Sequence, residues 1–135
     1  MTGAEPLEGG RRTITEQDIE QFAALTWDRH PAHTDQAWAE ENLFGERVAH
    51  GLLVLSFAIG MVPTDAFVAL RRIKNVVFKS PVRIGDTIHT EMKLVKVQPI
   101  NDELALGTGR VTVVKQDGAA ALKMELEALM RRGPD

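Results

Sequence analysis

Asp28 and His33 stand five positions apart, in a segment that also contains His30-Pro31. A carboxylate and an imidazole turned toward one point can share a single water molecule. One takes a proton from it while the other delivers a proton to a neighbouring carbon, which is general acid–base catalysis. Histidine suits that work because its unperturbed pKa lies near neutrality. The same residue types also serve turns, where an Asp accepts hydrogen bonds from nearby backbone and a His caps or packs; spacing leaves both readings open. A second feature is His50-Gly51, ahead of a long apolar run. The first turn of a helix exposes N–H groups at the positive end of the macrodipole, and glycine lets a ligand approach them, so a developing negative oxygen can be held at Gly51. A tight turn at Gly51 and a His50 bond to a backbone carbonyl explain the same pair equally well.

Other chemistries fit poorly. His30, His33 and Asp35 are near one another in sequence, but a catalytic zinc needs three convergent ligands, and Pro31 with no HExxH-type helix gives no convergence. The absence of cysteine removes disulfides, thiolate nucleophiles and Cys-ligated metal sites. There is no phosphate-cradling glycine loop, and Gly107-Thr108-Gly109 inside a strand pattern reads as a bulge or a close approach. There is also no nucleophile elbow around Ser56, whose hydroxyl is expected to bond the preceding helical turn.

What must position these residues is one domain. The chain has 135 residues, 44% hydrophobic and 26% charged, with 16 Lys and Arg against 19 Asp and Glu for a net charge of -3. A domain of that size buries about two-thirds of the surface its unfolded chain exposes. The composition excludes disorder and argues against an electrostatic nucleic-acid binder. No apolar run reaches the roughly 20 residues of a membrane helix. Met1 to Gly10 contains Glu5 and Glu8 and no signal-like apolar core, so residues 1–10 read as a flexible tail of a cytoplasmic protein, with residues 132–135 a second tail.

Within that domain, Thr15 is placed to cap a helix with Asp18 at its third position and Ile14 stapled onto Ile19; Ile19, Phe22 and Ala23 mark the buried face. Residues 28–34 read as a loop, because Pro31 turns His30 away from helix. Asp35 caps a short helix over residues 36–42, which Gly45 ends. Gly51 to Val62, apolar all round except Ser56, predicts a helix facing protein on every side. From Phe67 the texture turns β-branched and alternating. Strands are expected over residues 73–78, 87–97 and 104–114, with breaks at Pro81, Gly85-Asp86, Asn101-Asp102 and Asp117-Gly118, as in a meander. Residues 119–130 favour helix by composition but alternate Leu122, Met124, Leu126, Ala128 and Met130, and are read as a strand. The sum is an α+β fold, a curved antiparallel sheet wrapped around one central apolar helix.

Four segments, Thr26-Trp-Asp-Arg-His-Pro-Ala-His-Thr-Asp35, Phe44-Gly45, Val48-Ala-His-Gly-Leu52 and Phe78-Lys-Ser-Pro-Val-Arg-Ile-Gly-Asp86, resemble in order and spacing the MaoC-like family of (R)-specific enoyl-CoA hydratases. The likeness runs from about Thr13 to Leu129. It implies a single hot-dog domain over residues 11–131. It implies reversible syn addition of water to a trans-2-enoyl thioester of CoA or acyl-carrier protein, with Asp28 and His33 as the catalytic pair and the Gly51 N–H polarising the thioester carbonyl. It implies no metal or redox cofactor, and a homodimer or higher homo-oligomer, with no nucleic acid and no membrane as partner. His50 and His30 are expected beside the substrate.

Three positions depart from the family pattern. His30 replaces a common Asn, Trp27 a small or polar residue, and Ile59 a serine that some members carry on the central helix. Trp27, Phe44 and Ile59 are candidates for the acyl-chain pocket. Arg71, Arg72, Lys74, Lys79 and Arg83 form a basic stretch that either receives the phosphates of CoA or is solvated surface. A hot-dog thioesterase is the competing enzyme; it would usually draw a carboxylate from the central helix, and residues 51–62 contain none. A thioester-binding subunit without turnover is the non-enzymatic alternative.

Overall fold

The computed structural model describes residues 7–62, 65 and 67–132. Alternation builds its sheet. In β4 (Leu104–Lys115) every second residue from Ala105 to Val113 is buried, while Thr108, Arg110 and Thr112 point away. β3 (Thr87–Pro99) and β5 (Ala120–Arg131) follow the same rule and flank it, antiparallel on both sides. The stretch whose composition favoured helix is therefore strand, because burial of one face outweighs propensity. The five strands run β1-β3-β4-β5-β2, with β1 (Leu7–Thr13) and β2 (Phe67–Phe78) at the edges.

Three expectations change here. The meander holds for β3, β4 and β5, but β2 crosses over to pair with β5 instead of β3. The expected tail over residues 1–10 does not hold for Leu7 to Gly10, which open β1, paired along β3; residues 1–6 lie outside the described part. At the other end Arg132 is not a tail residue: its N–H donates to the Glu103 carbonyl at 2.8 Å and its guanidinium to the Asn101 carbonyl at 2.7 Å.

The apolar helix α4 (Gly51–Met61) lies on the inner face of the sheet. Leu53, Val54 and Ala58 pack among Ile88, Met92, Val111, Val113, Leu122 and Met124. Burying such side chains is worth about 2 kcal/mol each. The helix is not enclosed on every side, however. Leu52, Ser56 and Gly60, four residues apart, form an exposed stripe, with Leu52 at 62% exposure. Ser56 does satisfy its hydroxyl on the preceding turn, donating to the Leu52 carbonyl at 2.7 Å. Gly107 and Gly109 mark a close approach, as read from the sequence. A Cβ at Gly107 would overlap the Met130 thioether, and one at Gly109 would lie 3.1 Å from that of Met92.

Helix α1 (Glu16–Thr26) begins as its sequence dictates. The Thr15 hydroxyl accepts the Asp18 N–H at 3.1 Å, and the Asp18 carboxylate accepts the Thr15 N–H at 3.0 Å. The segment between α1 and α4 holds two short helices, α2 (Pro31–Thr34) and α3 (Gln36–Glu40). The first lies inside the expected loop: Pro31 starts a helix at its first position as readily as it ends one at the preceding residue. The second stops at Glu40, earlier than residue 42.

Candidate active site

The site is built where three connections meet. Helix α1 ends on Trp27, which adopts the left-handed conformation at φ 68° and donates its N–H to the Ala23 carbonyl. The reversal aims the chain at Asp28. Thr26 fixes the turn, donating its hydroxyl to the Phe22 carbonyl at 2.7 Å and accepting the Asp28 N–H at 3.3 Å. His30 caps α2, its Nδ1 accepting the Ala32 N–H at 3.0 Å, so that ring nitrogen carries a lone pair. An asparagine oxygen makes the same cap, so His30 can replace Asn without altering the turn.

Helix α2 presents His33, which is held from the chain ahead of α4. Its Nδ1–H donates to the Val48 carbonyl at 2.8 Å, and a carbonyl only accepts, so the tautomer is fixed with the lone pair on Nε2. Around this bond the two segments are laced together. The Val48 N–H donates to the Ala32 carbonyl at 3.1 Å, and the buried Arg47 donates Nε–H to the His33 carbonyl at 2.7 Å. Arg47 also pairs with Glu16 of α1 at 2.7 Å, so a charge 7% exposed is fully partnered. A third connection, residues 79–86, anchors the start of α4 through the Ala49 N–H and the Val82 carbonyl at 2.7 Å. It is pinned by Asp86, which accepts from the Arg83 N–H, the Gln116 amide and the Lys115 ammonium. Burial pushes the Asp86 carboxyl up, but those donors outweigh it and hold its pKa below the usual value.

A carboxylate oxygen of Asp28 and one ring nitrogen each of His33 and His50 lie within 4.8 Å of one another. A single water bonding at about 2.8 Å to two groups spans such a separation. These residues open onto a cavity of about 490 Å³ whose wall includes Gly51, Phe44, Phe78 and Lys79. Gly51 is the first residue of α4, and neither its N–H nor that of Leu52 has a hydrogen-bond partner among the described residues. Glycine leaves room there for the Phe78 ring. A Cβ would stand 2.6 Å from the Phe78 ring, which lies over the helix start.

The remaining predicted residues divide. Phe44 lines the cavity of about 490 Å³ beside Asp28 and His33. Ile59 does not; it lines a second cavity of about 240 Å³ at the other end of α4, with Val62, Met92, Leu94 and Leu126. Trp27 lines neither and is 86% exposed, because its left-handed backbone throws the indole outward. His30 lines a third hollow with Trp38 and Phe44, its ring 6.0 Å from that of His33. His50 lines the same cavity as Phe44 but is itself buried, at 2% exposure. Of the basic stretch, Arg72 and Lys74 pair with Glu127 and Arg83 with Glu46, leaving Arg71 exposed on β2 and Lys79 on the cavity wall. Arg47 and the Val48 carbonyl were not singled out from sequence. The one signal for Arg47 was a charge beside the apolar Val48-Ala49, which says that it needs a partner but not which.

Metal ligation is constrained by the same bonds. Asp28, His33 and His50 are the one group of three candidate ligands among the described residues. His50 Nε2 is committed to the Asp28 carbonyl, and Nδ1 is sealed from solvent with no hydrogen-bond partner. His30 and Asp35 are engaged as helix caps.

A family model described as the MaoC like domain matches residues 1–116. Among relatives, the chain is 43% identical over 103 residues to protein MaoC of Klebsiella aerogenes, covering 70% of this chain and 30% of that one. It is 36% identical to the (R)-specific enoyl-CoA hydratase of Rhodospirillum rubrum, covering 65% and 62%. It is 31% identical to the 3-hydroxybutyryl-CoA dehydratase of Methylorubrum extorquens, covering 90% of each. The chain thus spans less than two-thirds of the length of the first two relatives. The X-ray structure of a monoamine oxidase regulatory protein from Archaeoglobus fulgius superposes with a TM-score of 0.89 at 39% identity, covering 99% of this chain and 92% of that one.

Proposed function

Because the chain belongs to the MaoC-like domain family, we propose that it hydrates a trans-2-enoyl thioester reversibly to the (R)-3-hydroxyacyl thioester, on CoA or acyl-carrier protein. The observation that carries this reading is the convergence of the Asp28 carboxylate and a His33 ring nitrogen within 4.8 Å, beside the open N–H of Gly51.

The geometry performs the reaction as follows. With Nδ1–H tied to the Val48 carbonyl, His33 Nε2 is the basic nitrogen. It takes a proton from the water as the water oxygen bonds to C3 of the enoyl group, and the π electrons move to C2 and onto the thioester oxygen. The Asp28 carboxylate accepts the second water hydrogen, orients the oxygen and stabilises the imidazolium. Charge on the thioester oxygen is met by the Gly51 N–H at the positive end of α4; a donor so placed is worth about 3 kcal/mol in the barrier. The imidazolium then returns its proton to C2 from the same side, which makes the addition syn. Dehydration is the reverse.

The catalytic unit we propose is a homodimer. The outer edge of β2 is unpaired among the described residues, Val68 and Leu70 on it are about half exposed, and the α4 stripe beginning at Leu52 is open. A long apolar edge of this kind is normally covered.

The test is to incubate purified protein with a short trans-2-enoyl-CoA and follow enoyl absorbance together with free thiol. Loss of absorbance without thiol release is expected. Thiol release would make the protein a thioesterase, and no change in either, across short and medium chains and both carriers, would leave a binding subunit. Sedimentation of the same sample at twice the chain mass checks the dimer.

A further inference from the structure

We propose that His50 is a positioning residue that fixes both members of the catalytic pair and stays neutral, so that the stacked imidazoles carry one positive charge, not two. The inference rests on the hydratase reading above but goes beyond it, since His50 touches neither water nor thioester in that mechanism.

Two contacts carry the argument. His50 Nε2–H donates to the backbone carbonyl of Asp28 at 2.9 Å, tying the residue that holds the carboxylate to the first turn of α4. Its ring lies stacked on that of His33, centroids 4.0 Å apart and planes 27° from parallel, so the base is held against a fixed surface. The Phe22 ring packs at 4.9 Å from the His50 ring, so that His50 has little room to move. One imidazole therefore locates the acid through its main chain and the base through its ring.

The same contacts fix its protonation. The Asp28 carbonyl requires the proton on Nε2, which leaves Nδ1 a lone pair, and that atom is buried with no hydrogen-bond partner. A second proton on Nδ1 would bury an unsatisfied N–H in a cation stacked on His33. An uncompensated buried donor is destabilising. The groups around the pair are the Asp28 carboxylate from the α1–α2 connection, His30 with its ring 6.0 Å from that of His33, the Arg47 guanidinium on the His33 carbonyl, and Lys79 across the cavity. Of these only the Asp28 carboxylate offers negative charge, and it faces both rings. Burial lowers the His50 pKa, the charge of His33 lowers it further, and the Asp28 contacts oppose this without cancelling it. When His33 takes the proton of water, the new imidazolium therefore lies against a neutral ring.

The variants separate positioning from substrate binding. His50→Gln keeps a donor for the Asp28 carbonyl and loses the ring; His50→Phe keeps a ring against His33 and loses the donor; His50→Ala loses both. We expect kcat on a short trans-2-enoyl-CoA to fall about tenfold for each of the first two and about a hundredfold for the third, with KM within about twofold. A raised KM at unchanged kcat would make His50 a substrate contact and overturn the proposal, as would full activity in His50→Ala. Should His50→Ala fail to fold, the other two variants decide. Side-chain 15N NMR of the wild type supplies a readout independent of turnover. The His50 signals should show a neutral ring protonated at Nε2 through the range in which an ordinary histidine becomes charged. A proton on Nδ1, or titration at the ordinary value, overturns the inference even in a protein that hydrates enoyl-CoA. Inactivity on every thioester, with the neutral His50 intact, would instead reject the hydratase reading and with it a catalytic purpose for this positioning.

Discussion

The two ends of α4 open on cavities of opposite character. At the start of the helix about 490 Å³ is bordered by Asp28, His33, His50 and Lys79; at its end about 240 Å³ is lined by Ile59, Val62, Met92, Leu94, Leu126 and their neighbours, with no titratable side chain. The difference follows from the polarity of one element. Free N–H groups at the first turn favour a developing negative oxygen, whereas the carbonyls of the last turn oppose one. Chemistry that builds charge on a carbonyl therefore belongs to the first cavity, and the second suits only hydrocarbon.

The largest effects should come from the polar end. Asp28→Asn and His33→Ala are each expected to lower hydration at least a hundredfold, in the range general acid–base groups contribute. Asp28 is exposed and His33 only partly buried, so both variants should keep the wild-type circular dichroism, with His33→Ala melting somewhat lower for the loss of its bond to the Val48 carbonyl. An unchanged initial rate in either would remove that residue from the mechanism and erase the contrast between the ends.

Gly51→Ala comes next. Its Cβ would meet the Phe78 ring at 2.6 Å, so the ring must swing away or the helix start must shift. Overpacking of this sort typically costs about 1–3 kcal/mol. We expect turnover to fall about tenfold, with the N–H displaced from the thioester oxygen by a fraction of an ångström. Adding Phe78→Leu should recover part of it; a rate that the second change does not alter would show that steric displacement is not the cause.

How much of this was legible beforehand depends on how local the cause is. β3, β4 and β5 follow from alternation, and the cap of α1 from Thr15 and Asp18, because both signals lie within a few residues. β1 carries Leu-Glu-Gly-Gly-Arg-Arg-Thr with no alternation, and exists through pairing with β3, 74 to 85 residues away. β2 is recognisable as a strand, but its choice of β5 over β3 is a matter of topology. A four-residue helix such as α2 is too short for periodicity to reveal. In the site, the Asp28 and His33 spacing was readable, while Arg47 and the Val48 carbonyl act across 14 and 15 residues through a fold that local pattern does not specify. The burial of His50 belongs to the same class.

Support for the polar end can be tested one layer out. Lys115, 8% exposed, pairs with Asp86 at 3.0 Å and donates to the Pro81 carbonyl at 2.9 Å, so it holds the connection that anchors Ala49. Lys115→Met leaves Asp86 with its bonds from Arg83 and Gln116 but without a countercharge. Breaking one side of a buried pair costs about 3–5 kcal/mol, and the lower end applies here because two donors remain. Denaturant unfolding reads the loss. Lys115→Met with Asp86→Asn should be more stable than Lys115→Met alone, since the unpaired charge is gone; equal stability would mean that packing, not charge, sets the effect.

The smallest effect is the response to acid, and it bears most directly on the contrast. His50 binds its proton more weakly in the folded chain than in the unfolded one, because burial and the charge of His33 disfavour the cation. Below the ordinary histidine value of about 6.5 the unfolded state therefore holds more protons, and stability falls as pH falls toward the folded value. Asp86 acts in the same direction at lower pH, its contribution complete above about 3.9 and lost as the carboxylate protonates. His50 sits at the start of α4, and no titratable group lines the cavity at its end. Between pH 7.5 and pH 5, amide protection factors should therefore drop by more for residues 48–54 around His50 than for Thr90 and Val111 in the core strands, which lose only the global part. A uniform drop across helix and sheet would show that acid acts on the fold as a whole, and that the two ends are not energetically distinct.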